Sequence, residues 1–517
     1  MSLLVRFRKG VVAILSAQLL NAGANLLLVP LFLTRWTPVV YGEWLALFSL
    51  IEYLSTLKFP NMAVNNQLAQ CYARNDLEEY TLYQHSAMAA FLILAVSGTA
   101  LLAVGAWFLP IGSWLGLQHM SRLEAFWVTV LLGSQVLWAI PAAQFNMIFQ
   151  NTGDLAKTIW SLNLQRIASV VLIAVCLWLG GGLISVALIQ LFPLFSACPL
   201  IWIYFKRRQP TLLPGISGAS LRRVRELVLP SLFFLACLAG AAISQQGPVV
   251  VISSLFGGVA VAVFVTTRTL SNLAKQVGAA LYNSLWPDLT GMDARHEYRR
   301  LRFVYRVQVM GTTTVSIALA SALWYEGADV ISTWTRGKLE PDLTLLRLLL
   351  LQVILQAPWM ASSIFTAATN RHRVYSLSYL ASSVVGLGLA ALLAWRFGMR
   401  GIPVGLMVGE AALCYHFVTK DACEMIGEPY GPFARRLWAA LAAVGVIALG
   451  VGWVGHQIAW GPKLLRWVEV GGLTSLAALF SGWWLCLDET ARGEIVERVW
   501  PASKPARLKA VLLGRQS

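Results

Sequence analysis

Long apolar runs recur along the chain, separated by short polar connections. Runs of about twenty residues, enough to cross a ~30 Å hydrocarbon layer as a helix, occupy fourteen places. Their approximate limits are 10–34, 43–67, 83–109, 123–149, 158–180, 183–205, 227–254, 258–284, 304–330, 345–369, 374–396, 400–418, 435–457 and 466–487. The runs show no strict alternation of apolar and polar positions, so helices are predicted rather than barrel strands. The fifth and sixth are separated only by Gly180, Gly181 and Gly182. A re-entrant hairpin competes there with two full crossings. The longest connections, about 206–226 and 285–303, are basic and too short for a catalytic domain.

Lysine and arginine give the pattern a direction. With the N-terminus placed inside, 27 of the 40 basic residues fall in cytoplasmic segments and eight in outer loops. Those eight are Arg35, Arg122, Arg336, Lys338, Arg396, Arg400, Lys463 and Arg466. The bias predicts that both termini are cytoplasmic, which requires an even number of spans. The opening MSLLVRFRKG runs into an apolar stretch too long for a signal-peptide core, so it reads as the approach to a first span.

Composition agrees with this reading. Hydrophobic residues make up 57% of the 517 positions and charged residues only 12%, about half the share of a soluble domain. The net charge of +16 then reads as a topology signal with attraction to anionic lipid, and nucleic-acid binding is excluded. The seven cysteines show no metal-ligand spacing and read as packing residues. Tryptophans near span ends, such as Trp36, Trp107, Trp114 and Trp334, read as an interfacial belt.

Sorting the basic residues leaves five inside predicted spans: Lys58, Arg166, Arg268, Lys275 and Arg347. Arg347 is close enough to an end to snorkel. Glu52 and Glu410 lie at depths comparable to the other four. A mid-span charge costs roughly 2.5–3.5 kcal/mol, so these groups must face water, each other or an ionic ligand. A hydrated, mostly cationic cavity satisfies all of them. Arg268 and Lys275 share one helix face with Asn272 between them. Gln18, Asn21 and Asn25 form a second polar stripe, and Lys58, Asn61 and Asn65 a third beside the kinking Pro60. For the uncharged stripes, interhelical hydrogen bonding competes equally with a cavity lining, and for Arg166 snorkelling competes.

A shift of 216 residues aligns Arg6 with Arg222, Gly42 with Gly258, Phe48 with Phe264, Leu54 with Leu270 and Leu57 with Leu273, and sets Glu52 opposite Arg268. Six spans separate the copies, so both share one orientation, as in two-lobed transporters with parallel repeats. The expected organisation is an N-lobe at 1–205, a basic linker at 206–226 and a C-lobe at 227–418. An appended helix pair at 419–487 and a cytoplasmic tail at 488–517 complete it.

The segments YGEWLALFSLIEYLSTLKFPNMAVNNQLA at 41–69 and VFVTTRTLSNLAKQVGAALYNSLWPDLT at 263–290 resemble the multidrug/oligosaccharidyl-lipid/polysaccharide exporter superfamily. Within it, the polysaccharide transporter branch of O-antigen and exopolysaccharide flippases (Wzx-like) fits best. KFPN stands at Lys58–Asn61, where the family more often has an acidic–Gly turn. The resemblance implies a multi-pass protein of the bacterial inner membrane, not an enzyme. It would carry a polyprenyl-pyrophosphate-linked oligosaccharide from the cytoplasmic to the periplasmic leaflet by alternating access, beside polysaccharide polymerase and export proteins. A cation about 4 Å from the pyrophosphate contributes about 4 kcal/mol at an effective dielectric of ~20, before desolvation. On this reading Arg268 and Lys275 meet the anion, Lys58 and Arg166 assist, and the Asn and Gln stripes face sugar hydroxyls. Glu52 or Glu410 couples H⁺ or Na⁺, no other cofactor is called for, and Arg371 and Arg373 stand at the inner mouth.

Three rivals differ in their chemistry. A cation-drug antiporter needs an acidic cavity, whereas deep basic residues outnumber acidic ones here. A peptidoglycan-precursor flippase would carry Arg in the first span, which this chain lacks. A membrane glycan polymerase or ligase needs a sizeable outer loop. Arg268→Ala tests the central reading: glycan in the outer leaflet or on the surface should fall at unchanged protein level. Unchanged export would remove Arg268 from the transport path, and Arg268→Lys should retain part of the activity if charge suffices.

Overall fold

Backbone N–H and C=O groups have no water to bond in hydrocarbon, so each crossing must satisfy them internally as helix. The computed structural model describes the backbone of residues 3–499 apart from 153, 284, 370 and 460. It describes their side chains except at 3–15, 73, 155, 229–234, 286–288, 294 and 498–499. The expected basic residues at the start (Arg6, Arg8 and Lys9) and the tail beyond Val499 lie outside the side chains described. Among the described residues, 11 helices are long and apolar enough to cross a membrane. Two of them, Leu235–Asn283 and Arg373–Ile426, each supply two crossings, broken at Gly257 and around Gly398–Arg400. Pro38–Glu52 and Pro60–Ala73, joined through a 3₁₀ stretch at Tyr53–Lys58, make one broken crossing. Every expected run thus finds a helical counterpart.

Local chemistry explains the breaks. Gly257 has φ 76° and ψ −174°, a conformation that a Cβ would oppose. Arg268, 11 residues beyond it, meets the carbonyl of Gln245, 12 residues before it, so the two arms run antiparallel. Gly386 and Gly409 approach closely in the second hairpin, where a Cβ on Gly409 would sit 2.6 Å from the Cα of Gly386. At 180–182 two full crossings form, with Ala156–Trp178 and Leu183–Lys206 both of spanning length. Gly180 takes φ +84° at the turn.

The chain gathers into two compact units. The first comprises Met1–Thr269, Ser332–Glu340 and Tyr379–Gly409, and the second Leu270–Ile331, Pro341–Ser378 and Glu410–Ser517. In the first unit, Leu33, Leu47, Val128, Leu132, Leu177 and Val186 form one buried core. A second surrounds Leu68, Tyr80, Ile148 and Phe205. In the second unit Tyr305, Phe365, Leu437, Val444 and Ala478 pack together, and Tyr430–Ile458 lies along Lys463–Leu485.

Several residues expected at a lipid interface have structural roles instead. Trp36 is buried against Phe32 and Trp44, and Trp334 donates to the carbonyl of Leu26 at 2.8 Å. Three basic residues assigned to outer loops cap helix-end carbonyls: Arg35 on Trp178 (3.0 Å), Arg122 on Trp107 (2.8 Å) and Lys338 on Leu33. A cation there satisfies orphan carbonyls and the helix dipole together. Glu43, 1% exposed, accepts the backbone N–H groups of Gln118, His119 and Met120 at 2.7, 2.9 and 2.9 Å, pinning that loop to the helix Pro38–Glu52.

The two glycines aligned by the repeat, Gly42 and Gly258, lie against each other in the first unit. A Cβ on Gly42 would run into the carbonyl of Gly258, and one on Gly258 would lie 2.6 Å from the carbonyl of Val39. Gly42→Leu should therefore destabilise the protein by about 1–3 kcal/mol or more, read as a lower melting temperature in detergent. An unchanged melting temperature would show that the contact is not tight.

Candidate functional site

The broken second crossing supplies the first group of polar side chains. Pro60 cannot donate a backbone hydrogen bond, and the 3₁₀ stretch before it places Glu52 and Lys58 at its two ends. Lys58 acts electrostatically on Glu52, which also accepts from Ser55. One turn further on, buried Asn61 donates to the carbonyl of Ile140 at 3.5 Å and accepts from Gln144 Nε2 at 3.3 Å. Asn65 Oδ1 is buried with no hydrogen-bond partner among the described residues.

A second group joins the first helix to Leu155–Trp178. Arg166 Nη2 donates to Asn25 Oδ1 at 3.0 Å, and Asn163 donates to Ser16 at 3.3 Å. The Nε of Arg166 is buried without an acceptor among the described residues. Asn21 is exposed and Gln18 half-buried.

Arg268 is partly buried across the Gly257 hairpin. Its Nη1 donates to the carbonyl of Gln245 at 2.5 Å, and its guanidinium lies 5.2 Å from the Phe264 ring centroid. Asn272, one turn on, is half-buried.

Lys275 and Glu410 come together in the second unit. Glu410, 3% exposed, accepts from Gln356 Nε2 at 2.7 Å and from Gln352 Nε2 at 3.2 Å. Lys275 is the cation acting on it, and Trp359 lies alongside. The two glutamines are four residues apart on Leu343–Ala368 and so share its face. A π-helical turn, Ala411–Tyr415, begins directly after Glu410, a feature frequent at functional sites. Arg371 and Arg373 are both exposed. Arg347 donates to the carbonyl of Trp324 at 3.2 Å and stacks on its ring, which keeps it at the end of its span.

The residues singled out from the sequence thus fall into local groups: Glu52 with Lys58, Arg166 with Asn25, Arg268 on Gln245, and Lys275 with Glu410. Gln144, Gln352 and Gln356 join these groups and were not singled out. The stripe test that finds Gln18, Asn21 and Asn25 would have found Gln352 and Gln356, since both interrupt a leucine-rich run. A further buried acid, Glu326 (1% exposed), binds His456 Nδ1 at 2.6 Å and Arg466 at 2.8 Å, and Arg466 also reaches Asp329 at 3.0 Å. Nothing local in the sequence links Glu326 to a residue 140 positions away.

Against known proteins, the fold has clear counterparts. An inward-facing multidrug resistance MATE family transporter of the MOP superfamily aligns with TM-score 0.69 and 14% identity, over 81% of this chain and 98% of the other. The lipid II flippase MurJ in an inward closed conformation aligns with TM-score 0.68 and 11% identity, over 90% and 97%. An outward-facing MATE family transporter gives TM-score 0.59 and 14% identity, over 81% and 95%. At these identities the likeness is one of fold. No curated protein sequence matches the chain. The profile of polysaccharide biosynthesis proteins matches residues 7–290, more than half the chain. With a fold like those of the MATE family transporter and MurJ, the chain belongs to the polysaccharide biosynthesis protein family.

Proposed function

We propose that this protein moves a polyprenyl-pyrophosphate-linked oligosaccharide from the cytoplasmic to the periplasmic leaflet of a bacterial inner membrane, for cell-surface polysaccharide export. The observation that carries the reading is the excess of cations within the spans. At mid-span, Lys58, Arg166, Arg268 and Lys275 stand against two carboxylates, Glu52 and Glu410, while Glu326 nearer a span end is balanced by Arg466. That surplus of about two positive charges matches a pyrophosphate, and a cation-drug antiporter would need the opposite balance. Arg166 and Arg268 meet neutral oxygens in the contacts described above. An anionic oxygen would compete with these well, because charge-assisted hydrogen bonds are roughly twice as strong as neutral ones.

In this reading the pyrophosphate passes Arg268 and Lys275, with Lys58 and Arg166 assisting. Asn61, Asn65, Asn272, Gln18, Asn21 and Asn25 offer hydrogen bonds to sugar, and the polyprenyl tail stays in lipid. Both termini are cytoplasmic, which places Arg371 and Arg373 at the inner mouth to collect the anion. Glu410 is the better placed of the two acids to couple H⁺ or Na⁺: binding a cation there would release Lys275 toward the substrate. Polymerase and export proteins would receive the flipped glycan.

Vesicles reconstituted with the protein should bring a fluorescent polyprenyl-pyrophosphate-linked glycan from the inner leaflet within reach of an impermeant quencher. Flipping no faster than in protein-free vesicles, under H⁺ and Na⁺ gradients of either sign, would end this reading. Lys275→Ala removes the cation acting on a buried carboxylate and should lower the melting temperature. Adding Glu410→Gln should recover part of that loss in melting temperature. If the two losses simply add, the pair is not coupled. A phosphatase fused after residue 517 should be inactive, and the same fusion after Gly337 active; the reverse result would invert the orientation.

A further inference from the structure

A groove in the first unit remains outside the transport reading. It lies between Leu155–Trp178 and Leu191–Lys206, floored by Phe149 of Arg122–Asn151, with a volume of about 410 Å³. Its walls are mostly apolar, and Trp160 and Leu200 on its rim are 52% and 66% exposed. Small side chains, Ala168, Ser196 and Ala197, keep it open. From Lys157 to Ala168 one wall rises 11 residues, about 16 Å at 1.5 Å per residue. That is close to half of a ~30 Å hydrocarbon core, the depth of a single leaflet.

One end of the groove is polar. The Tyr204 hydroxyl accepts from Lys157 Nζ at 3.5 Å and from Arg208 Nη1. The Arg208 guanidinium also lies 4.3 Å from the Tyr204 ring centroid, and Lys157 Nζ 5.9 Å. With both lone pairs of the hydroxyl turned to cations, its own proton is left to donate outward. Asp154 pairs with Lys157 at 2.5 Å, which leaves this end one positive charge in surplus. Three donors therefore surround a site suited to a singly charged anion. Lys206 and Arg207 follow Tyr204 in the chain and add long-range attraction.

We propose that this groove binds one acyl chain of an anionic glycerophospholipid, with its phosphodiester held by Lys157, Tyr204 and Arg208. A phosphodiester carries one negative charge, matching the one that Lys157 and Arg208 leave unbalanced beside Asp154. The one-leaflet depth suits an acyl chain rather than a much longer polyprenyl tail. None of the three residues that would hold the phosphodiester is assigned to transport, and the site does not depend on that assignment.

The full-length protein in detergent, titrated with phosphatidylglycerol and with phosphatidylcholine of the same chains, gives the test. Phosphatidylglycerol should be retained in native mass spectra and raise the melting temperature, with phosphatidylcholine at least tenfold weaker. Arg208→Ala should weaken phosphatidylglycerol about tenfold and leave phosphatidylcholine unchanged. Ser196→Trp, which fills the groove, should abolish retention of both. Equal retention of the two lipids, or an Arg208→Ala variant that still distinguishes them, overturns the proposal. So does polyprenyl phosphate displacing phosphatidylglycerol at lower concentration, which would give the groove to the transported lipid. Should Ser196→Trp fail to fold, the Arg208→Ala comparison decides alone.

Discussion

A polar group inside hydrocarbon must find its partner within the protein, because no water is there to supply one. That constraint makes every crossing a helix and decides what each break in a helix must do. It also governs the side chains. Arg166 reaches Asn25, Arg268 reaches a backbone carbonyl, and Glu410 collects two glutamines and the charge of Lys275. The Arg166 and Glu410 contacts join helices far apart in sequence, and that of Arg268 closes the hairpin at Gly257. The polar residues thus act as fasteners as well as candidate ligands, and a substrate oxygen can replace only a partner that binds more weakly than it does.

Close approach of backbones is the second organising feature. Where lipid supplies no hydrophobic drive between helices, small residues let them pack. The contact of Gly42 with Gly258 is one case, and the Gly386–Gly409 hairpin another. The first joins two positions that the 216-residue shift aligns. Beside it, Glu43 holds residues 118–120 by their backbone N–H groups, so a small contact is braced by a buried carboxylate.

Much of the candidate site was legible because charge in an apolar run is costly enough to stand out. Lys58, Arg166, Arg268, Lys275, Glu52 and Glu410 were visible on that ground. Neutral amides carry a weaker signal, and Gln144, Gln352 and Gln356 take their meaning from the partners they meet. Trp36 and Trp334 were misread for a related reason. Tryptophan is amphipathic, and a position near a span end does not say whether the ring faces lipid or another helix. The polar end of the groove at Lys157, Tyr204 and Arg208 left no separate signal, since positive-inside bias already accounts for its cations.

By itself the sequence determined the membrane environment, the all-helical class and the places where the chain crosses. These follow from the one-dimensional cost of carrying polar groups through hydrocarbon, which is read residue by residue. Only the tertiary structure decided the pairing: Arg166 with Asn25, Glu410 with Gln352 and Gln356, Glu326 with Arg466, Gly42 with Gly258. A partner's identity depends on which helix faces which, and that is settled by packing between segments distant in the chain, leaving no local trace in either one.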